Sequence, residues 1–354
     1  MSNQNNGHNA GNGKKTLTPV SKLGEFGLID HLTKNITLQN ASSVKGIGDD
    51  AAVIDNKGKL TVVTTDMLVE GIHFDLMYTP MMHLGYKSVV VNLSDIYAMN
   101  AQPKQITLAV AISSRFTVEA MEDFYAGVEK ACNYYKVDLV GGDTTSSHKG
   151  LIICVTAIGQ AQATDIVYRN TAKERDYICV SGDLGGAYLG LQILEREKNL
   201  YLEDPVIQPE LENHSYVIGR QLKPEARNDI ADILQSLGIK PTAMIDVSDG
   251  LSSDVLHICK QSGVGCRIFE ENIPIHPDSV EAAQMFNLSP VTCALNGGED
   301  YELLFTIKPS DIEKLEGLHG ISVIGRITPA AEGAKLFTTG GQTHRLVAQG
   351  WQHL

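Results

Sequence analysis

The chain has 354 residues and a formal net charge of −13. That length allows two domains, each with its own core, and the apolar and charged content is that of a soluble globular protein. The acidic balance argues against a nucleic acid or an anionic membrane held by charge alone. It does not argue against a phosphate substrate whose charge is met by metal ions.

Six cysteines are scattered through mostly apolar runs with no C-x-x-C spacing, the pattern of reduced core residues in a cytoplasmic protein. No window is apolar for the length of a membrane span, and residues 1–15 lack the apolar centre of a signal peptide. Rich in Asn and Gly, those residues are predicted to be a disordered tail. Gly13-Lys14-Lys15-Thr16 does not meet the phosphate-loop spacing.

In chain order, residues 23–32 read as a short amphipathic helix, and Gly46-Ile47-Gly48-Asp49-Asp50 leads into a strand over 52–54. Leu60 to Thr64 is a β-branched, apolar run that suits a buried strand. It passes into Thr65 and Asp66, with His73 seven residues on. Helical periodicity over 82–99 encloses Asn92-Leu93-Ser94-Asp95. A strand over 105–112, a long helix over 118–135 and an apolar run over 137–140 follow, the last ending in Gly141-Gly142-Asp143-Thr144-Thr145. A strand over 151–158 closes the first half, and a boundary is placed near 170–173.

The second half opens with a strand over 177–181 and a tight glycine turn, Gly182 to Gly186, whose spacing is not that of a dinucleotide fingerprint. A helix over 187–197, a polar helical excursion over 200–217, a helix over 227–237 and a strand over 244–247 come next. Asp246-Val247-Ser248-Asp249-Gly250 then opens a helix over 252–261. A strand over 265–269 and a helix over 279–286 lead to Gly297-Gly298-Glu299-Asp300-Tyr301-Glu302 and the strand over 303–307. The segments 311–315, 322–327 and 335–338 complete an α/β layer. The element order predicts an α+β fold with mixed or antiparallel pairing rather than a doubly wound parallel sheet.

Asp49/Asp50, Asp66, Asp95, Asp143 and Asp246/Asp249 each stand beside Gly, Ser or Thr at what reads as the edge of an apolar element. Any one of them is most simply an N-cap; the repetition asks for more. Carboxylates gathered in a partly buried cleft repel and take up protons, and divalent cations remove the conflict. Aspartate and Thr donors without a His or Cys cluster select Mg²⁺ or Mn²⁺ over Zn²⁺. Such ions complete their shells with water and nucleotide phosphates, so the chemistry indicated is phosphoryl transfer.

Eight motifs in a fixed order resemble the thiamine-monophosphate kinase family, within the superfamily of aminoimidazole-ribonucleotide synthetases. They are GEFGLI (24–29), GIGDDAAV (46–53), TTDMLVEGIHF (64–74), NLSDIYAMNA (92–101), GGDTT (141–145), DVSDGLSSD (246–254), GGEDYELLFT (297–306) and a terminal GW-x-H followed by Leu354. The resemblance implies a two-domain fold with a polar tail over 1–20. An N-terminal half over 21–170 would bind ATP and Mg²⁺ and dimerise by joining its mixed sheet into a barrel across a homodimer. A C-terminal α/β layer over 171–354 would complete the active site. It also implies ATP-dependent phosphorylation of thiamine monophosphate to the diphosphate by direct transfer with several Mg²⁺ ions; charge and hydropathy add the expectation of no nucleic-acid or membrane partner.

Position by position, the resemblance puts Asp50, Thr64, Thr65, Asp66, Asp95, Asp143, Asp246 and Asp249 at metal positions, with Asp66, Asp95 and Asp246 central to catalysis. Gly142, Asp143, Arg169 and Ser248 fall at ATP positions; a guanidinium forks onto phosphate oxygens. His73, Glu299 and Trp351 fall at acceptor positions, where an aromatic ring can stack on a thiazolium or pyrimidine.

Plainer readings stand beside these. His73 can be a satisfied histidine after a turn, Trp351 a packing anchor, Glu299 and Asp300 turn residues, and Arg169 a surface ion pair. A selenophosphate synthetase would carry a reactive Cys in a Gly-rich N-terminal segment, and the hydrogenase-maturation relative would end in Cys. A non-catalytic Ca²⁺ module would show an EF-hand loop, which is missing.

Overall fold

A computed structural model describes residues 17–19, 22–23, 28, 31–45, 53–54 and 56–348. The predictions for the N-terminal tail, Asp49, Asp50 and Trp351 lie outside these residues. A two-stranded antiparallel ribbon, β1 (Ser43–Lys45) with β2 (Val53–Ile54), comes first. Then follow β3 (Leu60–Val69), α1 (Met81–Ala98), β4 (Gln102–Ile112), α2 (Val118–Tyr135), β5 (Asp138–Ser146) and β6 (Ile152–Ala161). These four strands make one mixed sheet in the order β3-β6-β4-β5, with only β4–β5 parallel.

The second half holds β7 (Tyr177–Ser181), α3 (Gly186–Glu203), α4 (Ser215–Leu222), α5 (Asn228–Ser236), β8 (Ala243–Asp246), α6 (Leu251–Ser262) and β9 (Gly265–Phe269). It ends with α7 (Pro277–Met285), α8 (Pro290–Asn296), β10 (Leu303–Ile307), β11 (Ile321–Thr328), β12 (Ala334–Phe337) and β13 (Thr343–Arg345). Its seven strands form a sheet ordered β13-β12-β9-β11-β7-β10-β8, antiparallel except for β12 against β9. The fold is α+β with mixed sheets, as the element order predicts. Among the described residues no helix is long and apolar enough to cross a membrane.

Two features position the site. The first is α1, which is buried on nearly every side, the signature of a helix inside the molecule rather than on it. It packs on α2, on the four-stranded sheet and on β8 of the larger sheet. Its crossing with α2 is close because glycines meet there. A Cβ on Gly85 would lie 1.9 Å from the Phe124 carbonyl oxygen, and one on Gly127 would lie 1.9 Å from that of Met82. Backbone cannot yield as a side chain can. Gly127→Ala is therefore expected to lower stability by at least the ~1–3 kcal/mol typical of overpacked cores, read as a lower urea midpoint.

The second feature is the period-2 alternation of β3. Val62, Thr64, Asp66 and Leu68 turn inward, while Val63 and Met67 are 61% and 54% exposed on the other face. The four-stranded sheet thus has a helix-covered face and an open one.

Candidate active site

Thr64 and Asp66 reach α1 from the inward face of β3. The Thr64 hydroxyl donates to Asp95 Oδ2 at 2.6 Å, and the Asp66 amide donates to Asn92 Oδ1 at 3.0 Å. On α1, Ser94 next to Asp95 donates its hydroxyl to Asp246 Oδ2 at 2.7 Å. Asp246 is the last residue of β8. One strand from each sheet and the central helix therefore converge on three carboxylates.

The electrostatics record that convergence. Burial pushes Asp66 up to about 6, with Asp95 adding to the shift. Asp246 is pushed up to about 7 by burial, then by Asp95, with Asp66 adding a smaller push; Ser94 and Arg169 pull the other way. Asp95 is also raised by burial, against the Thr64 hydrogen bond and the Arg169 charge. Arg169, exposed after β6, is thus the cation that the two acids feel.

A pH dependence follows. The folded chain holds protons on Asp66 and Asp246 at pH values where the unfolded chain, titrating near 3.8, has released them. Stability must fall as pH rises through that window, because the folded state binds the excess protons. In chelator, Asp246→Asn is expected to gain in Tm relative to the unchanged protein between pH 5 and pH 8. A pH-independent difference would contradict the raised value.

The loop after β8 continues the site. Ser248 and Asp249 are half-buried, and Gly250 adopts φ +106 before α6 begins. Behind them, burial and the charges of Asp246 and Asp249 push Asp254 up to about 8. The Ser248 carbonyl accepts from the Glu299 amide at 2.8 Å, and the Val247 carbonyl accepts from Tyr301 at 2.9 Å. Glu299 and Tyr301 have φ of +65 and +53, conformations that L-residues hold only when their surroundings impose them. Gly298 must be glycine, because its Cβ would lie 2.3 Å from the Ser248 carbonyl oxygen.

Three expectations from the sequence are altered. Asp66, Asp95 and Asp143 are not at element ends: β3 runs on to Val69, α1 to Ala98 and β5 to Ser146. Continued pairing carries the strands past the apolar runs, so none of the three is an N-cap. Asp143 also does not join the other acids. It shares a row with Ala109, Cys154 and Met67 on the open face, and β5 lies three strand spacings, ~14 Å, from β3. Thr65 likewise points away from Thr64, beside Thr156, whose hydroxyl donates to it at 3.1 Å. Alternation along a strand separates neighbours that look equivalent in sequence.

Gly142 has a packing reason to be glycine, since a Cβ would lie 1.8 Å from the Leu108 carbonyl oxygen. His73 closes a turn, its Nδ1 accepting from the Val69 amide at 3.0 Å. Glu299 stands on the far side of the Ser248 loop with Lys87 and Gln221. Sequence reasoning missed Lys87, Ser94 as a partner of Asp246, Arg220 and Asp254. Lys87 had one signal, a lone cation within the apolar periodicity of α1.

Among the described residues no three His, Cys, Asp or Glu side chains stand close enough together to hold a metal ion by themselves. The hard oxygen donors of Asp66, Asp95 and Asp246 fit Mg²⁺, which is bound through one or two carboxylates with water and substrate phosphates filling its shell.

Residues 48–161 match the family described as AIR synthase related protein, N-terminal domain. The thiamine-monophosphate kinase of Aquifex aeolicus (strain VF5) is 36% identical over 334 residues, 94% of this chain and 99% of that protein. The chain belongs to the thiamine-monophosphate kinase family. The thiamine-monophosphate kinase of Bacillus subtilis (strain 168) is 33% identical over 94% of this chain and 99% of its own length. Among solved structures, the thiamine-monophosphate kinase from Stenotrophomonas maltophilia K279a aligns at a TM-score of 0.76, with 31% identity over 90% of this chain and 96% of that one. AaThiL complexed with AMPPCP and TMP aligns at 0.72, with 32% identity over 96% and 100%. The hydrogenase maturation protein HypE in complex with ATP shares the fold at 0.69 and 17% identity. In this thiamine-monophosphate kinase family member, the motif order read from the sequence and the convergence of β3, α1 and β8 coincide.

Proposed function

We propose that this protein transfers the γ-phosphoryl group of ATP directly to thiamine monophosphate, giving thiamine diphosphate, with Mg²⁺ held at the acidic cluster. The observation that carries the reading is the meeting of Asp66, Asp95 and Asp246 at the contact between the two sheets and α1. Membership of the family and a relative complexed with AMPPCP and TMP support the two substrates. The acceptor is a phosphate already ionised near neutral pH, so its attacking oxygen needs no general base. It needs relief from repulsion by the γ-phosphoryl group, a charge neutralisation that Mg²⁺ held by Asp66, Asp95 and Asp246 would supply.

The chain's own residues have distinct tasks. Asp66, Asp95 and Asp246 are the metal-holding carboxylates. Thr64 orients Asp95, Ser94 orients Asp246, and Asp249 extends the set toward α6. Arg169 and Ser248 face the nucleotide phosphates; His73 and Glu299 receive the acceptor. For Thr65, Gly142, Asp143, Asp50 and Trp351 the assignment rests on the family resemblance alone. We assign residues 21–170 to nucleotide and metal binding and to dimerisation, and residues 171–354 to completing the site. The open face of the four-stranded sheet, where Val63 and Met67 are exposed, supports a homodimer joined there, and six free, mostly buried cysteines fit a cytoplasmic setting.

The test is an assay of the purified protein with ATP and a panel of phosphorylated acceptors, with Mg²⁺ or with chelator. Thiamine diphosphate should form from thiamine monophosphate only when Mg²⁺ is present. ATP consumption without that product, or an equal rate in chelator, would refute the reading.

A further inference from the structure

Lys87 lies on α1 two turns before Ser94 and Asp95, on the same side of the helix. The residue is 3% exposed, and its ammonium donates to the Gln221 carbonyl at 2.9 Å and to Glu299 Oε2 at 2.8 Å. A lysine head group is strongly hydrated, and burying one is unfavourable unless a carboxylate compensates it. Here the carboxylate is a residue at the edge of the cleft rather than one in the core. The Gln221 side chain, from α4, donates to the same oxygen at 2.8 Å. Oε2 of Glu299 thus carries two bonds, while Oε1 receives none from the described residues.

The backbone of Glu299 is held as firmly. Its amide is tied to Ser248, and its left-handed φ is fixed between Gly298 and the Asp300 contacts of α3. A side chain pinned at its backbone and at one oxygen has a single group left to offer. We infer that Lys87 and Gln221 are positioning residues for acceptor recognition: they lock Glu299 by Oε2 and present Oε1 to the amino group or ring cation of the acceptor. The inference deepens the reading of Glu299 as an acceptor residue and rests on it. Helix α1 then spans the reaction, with Lys87 serving the heterocyclic end and Ser94 and Asp95, ~11 Å further along the axis, serving the phosphate end. An acceptor with a neutral, donor-free head would leave Oε1 desolvated and unmatched, a discrimination worth more than the loss of an apolar contact.

The experiment is steady-state kinetics of Lys87→Met, Gln221→Leu, Glu299→Gln and the Lys87→Met/Glu299→Gln double variant, with each substrate varied at saturation of the other. Removing a hydrogen bond to a charged group is expected to raise the KM for thiamine monophosphate about tenfold or more. This should hold in Lys87→Met and, by a smaller factor, in Gln221→Leu, with the KM for ATP unchanged. The double variant should be no worse than Glu299→Gln alone, because both act through one carboxylate. A merely structural Lys87 would lower Tm and leave the acceptor KM in place. If Lys87→Met does not fold, Gln221→Leu decides. Should Glu299→Gln raise the acceptor KM while neither positioning variant does, the inference is wrong and the reading of Glu299 survives. Should Glu299→Gln leave that KM unchanged, the reading falls and takes the inference with it.

Discussion

Asp95→Asn is expected to lower turnover by about 10²–10³-fold, the scale seen when one pre-organised electrostatic group is removed from a phosphoryl- or acyl-transfer site. The fold should be retained. Asparagine can still accept the Thr64 hydroxyl at its side-chain oxygen, and Asp66 and Asp246 lose a repelling neighbour, so the metal-free variant should melt no lower than the unchanged protein. What it loses is the negative charge with which Asp95 would help to hold Mg²⁺. Circular dichroism together with a Mg²⁺ titration of the rate separates the two effects. Near-normal turnover at saturating Mg²⁺ would remove Asp95 from the reaction. Thr64→Val keeps the carboxylate but frees its rotamer, so it should cost less than Asp95→Asn and should raise the Mg²⁺ concentration needed for half-maximal rate.

That these acids could be named before the fold was known reflects how local the information is. Where a segment has strong periodicity and its own punctuation, residues and element agree. α2 spans the predicted 118–135, because Thr117 caps it through the Ala120 amide and Lys136 ends it in a left-handed conformation. β7, β9 and β10 match for a related reason: each is a short, largely buried run bounded by turn or helix-starting residues. β5 is longer than the apolar run over 137–140 predicts, since Gly-Gly-Asp-Thr-Thr-Ser has no apolar pattern and is extended only because β4 pairs with it. β13 is a polar, exposed edge held by β12, and nothing in Thr-His-Arg announces a strand. α8 lies between the predicted helix over 279–286 and the Gly297 motif, where no element is assigned from the sequence, although Ser289 before Pro290 is a sound helix start.

The site was legible to the same depth. Motifs identify carboxylates, but the face on which a carboxylate emerges depends on register, and register depends on strands far away in sequence. Hence Asp66 and Asp143 look alike in the chain and stand on opposite faces of the sheet. The partners that hold the site together were less visible still. Lys87 and Ser94 act across the contact between the two halves and Gln221 acts within the second, all at separations in sequence where no local pattern connects them.

Arg220 makes the same point most sharply, and Arg220→Ala is expected to be the most destabilising single change considered, at about 3–5 kcal/mol, the cost of breaking a buried pair from one side. Its guanidinium donates to Glu302 Oε1 at 2.8 Å and to the carbonyls of Asp183 and Asp300 at 3.1 Å, and it lies 3.5 Å from Asp300 Oδ1. Both carboxylates are buried. Arg227 and Ser181 also hold Glu302, and the amides of Gly185 and Ala187 hold Asp300, at the start of α3. These contacts clamp the loop on either side of Glu299 and Tyr301, whose left-handed backbones need such an anchor. Burial already pushes Asp300 up to about 6 against the pull of Arg220, so without the arginine it should hold a proton more readily and bind the α3 amides less well. Arg220→Lys should recover little, because one ammonium cannot reach a carboxylate and two carbonyls in a fixed fork. The measurement is urea unfolding with Arg220→Ala, Arg220→Lys and Arg227→Ala in parallel. Arg227 is also paired to the more exposed Asp229, so its loss should cost less than that of Arg220. A lysine variant as stable as the unchanged protein would show that charge alone, and not the shape of the clamp, holds the loop around Glu299 in place.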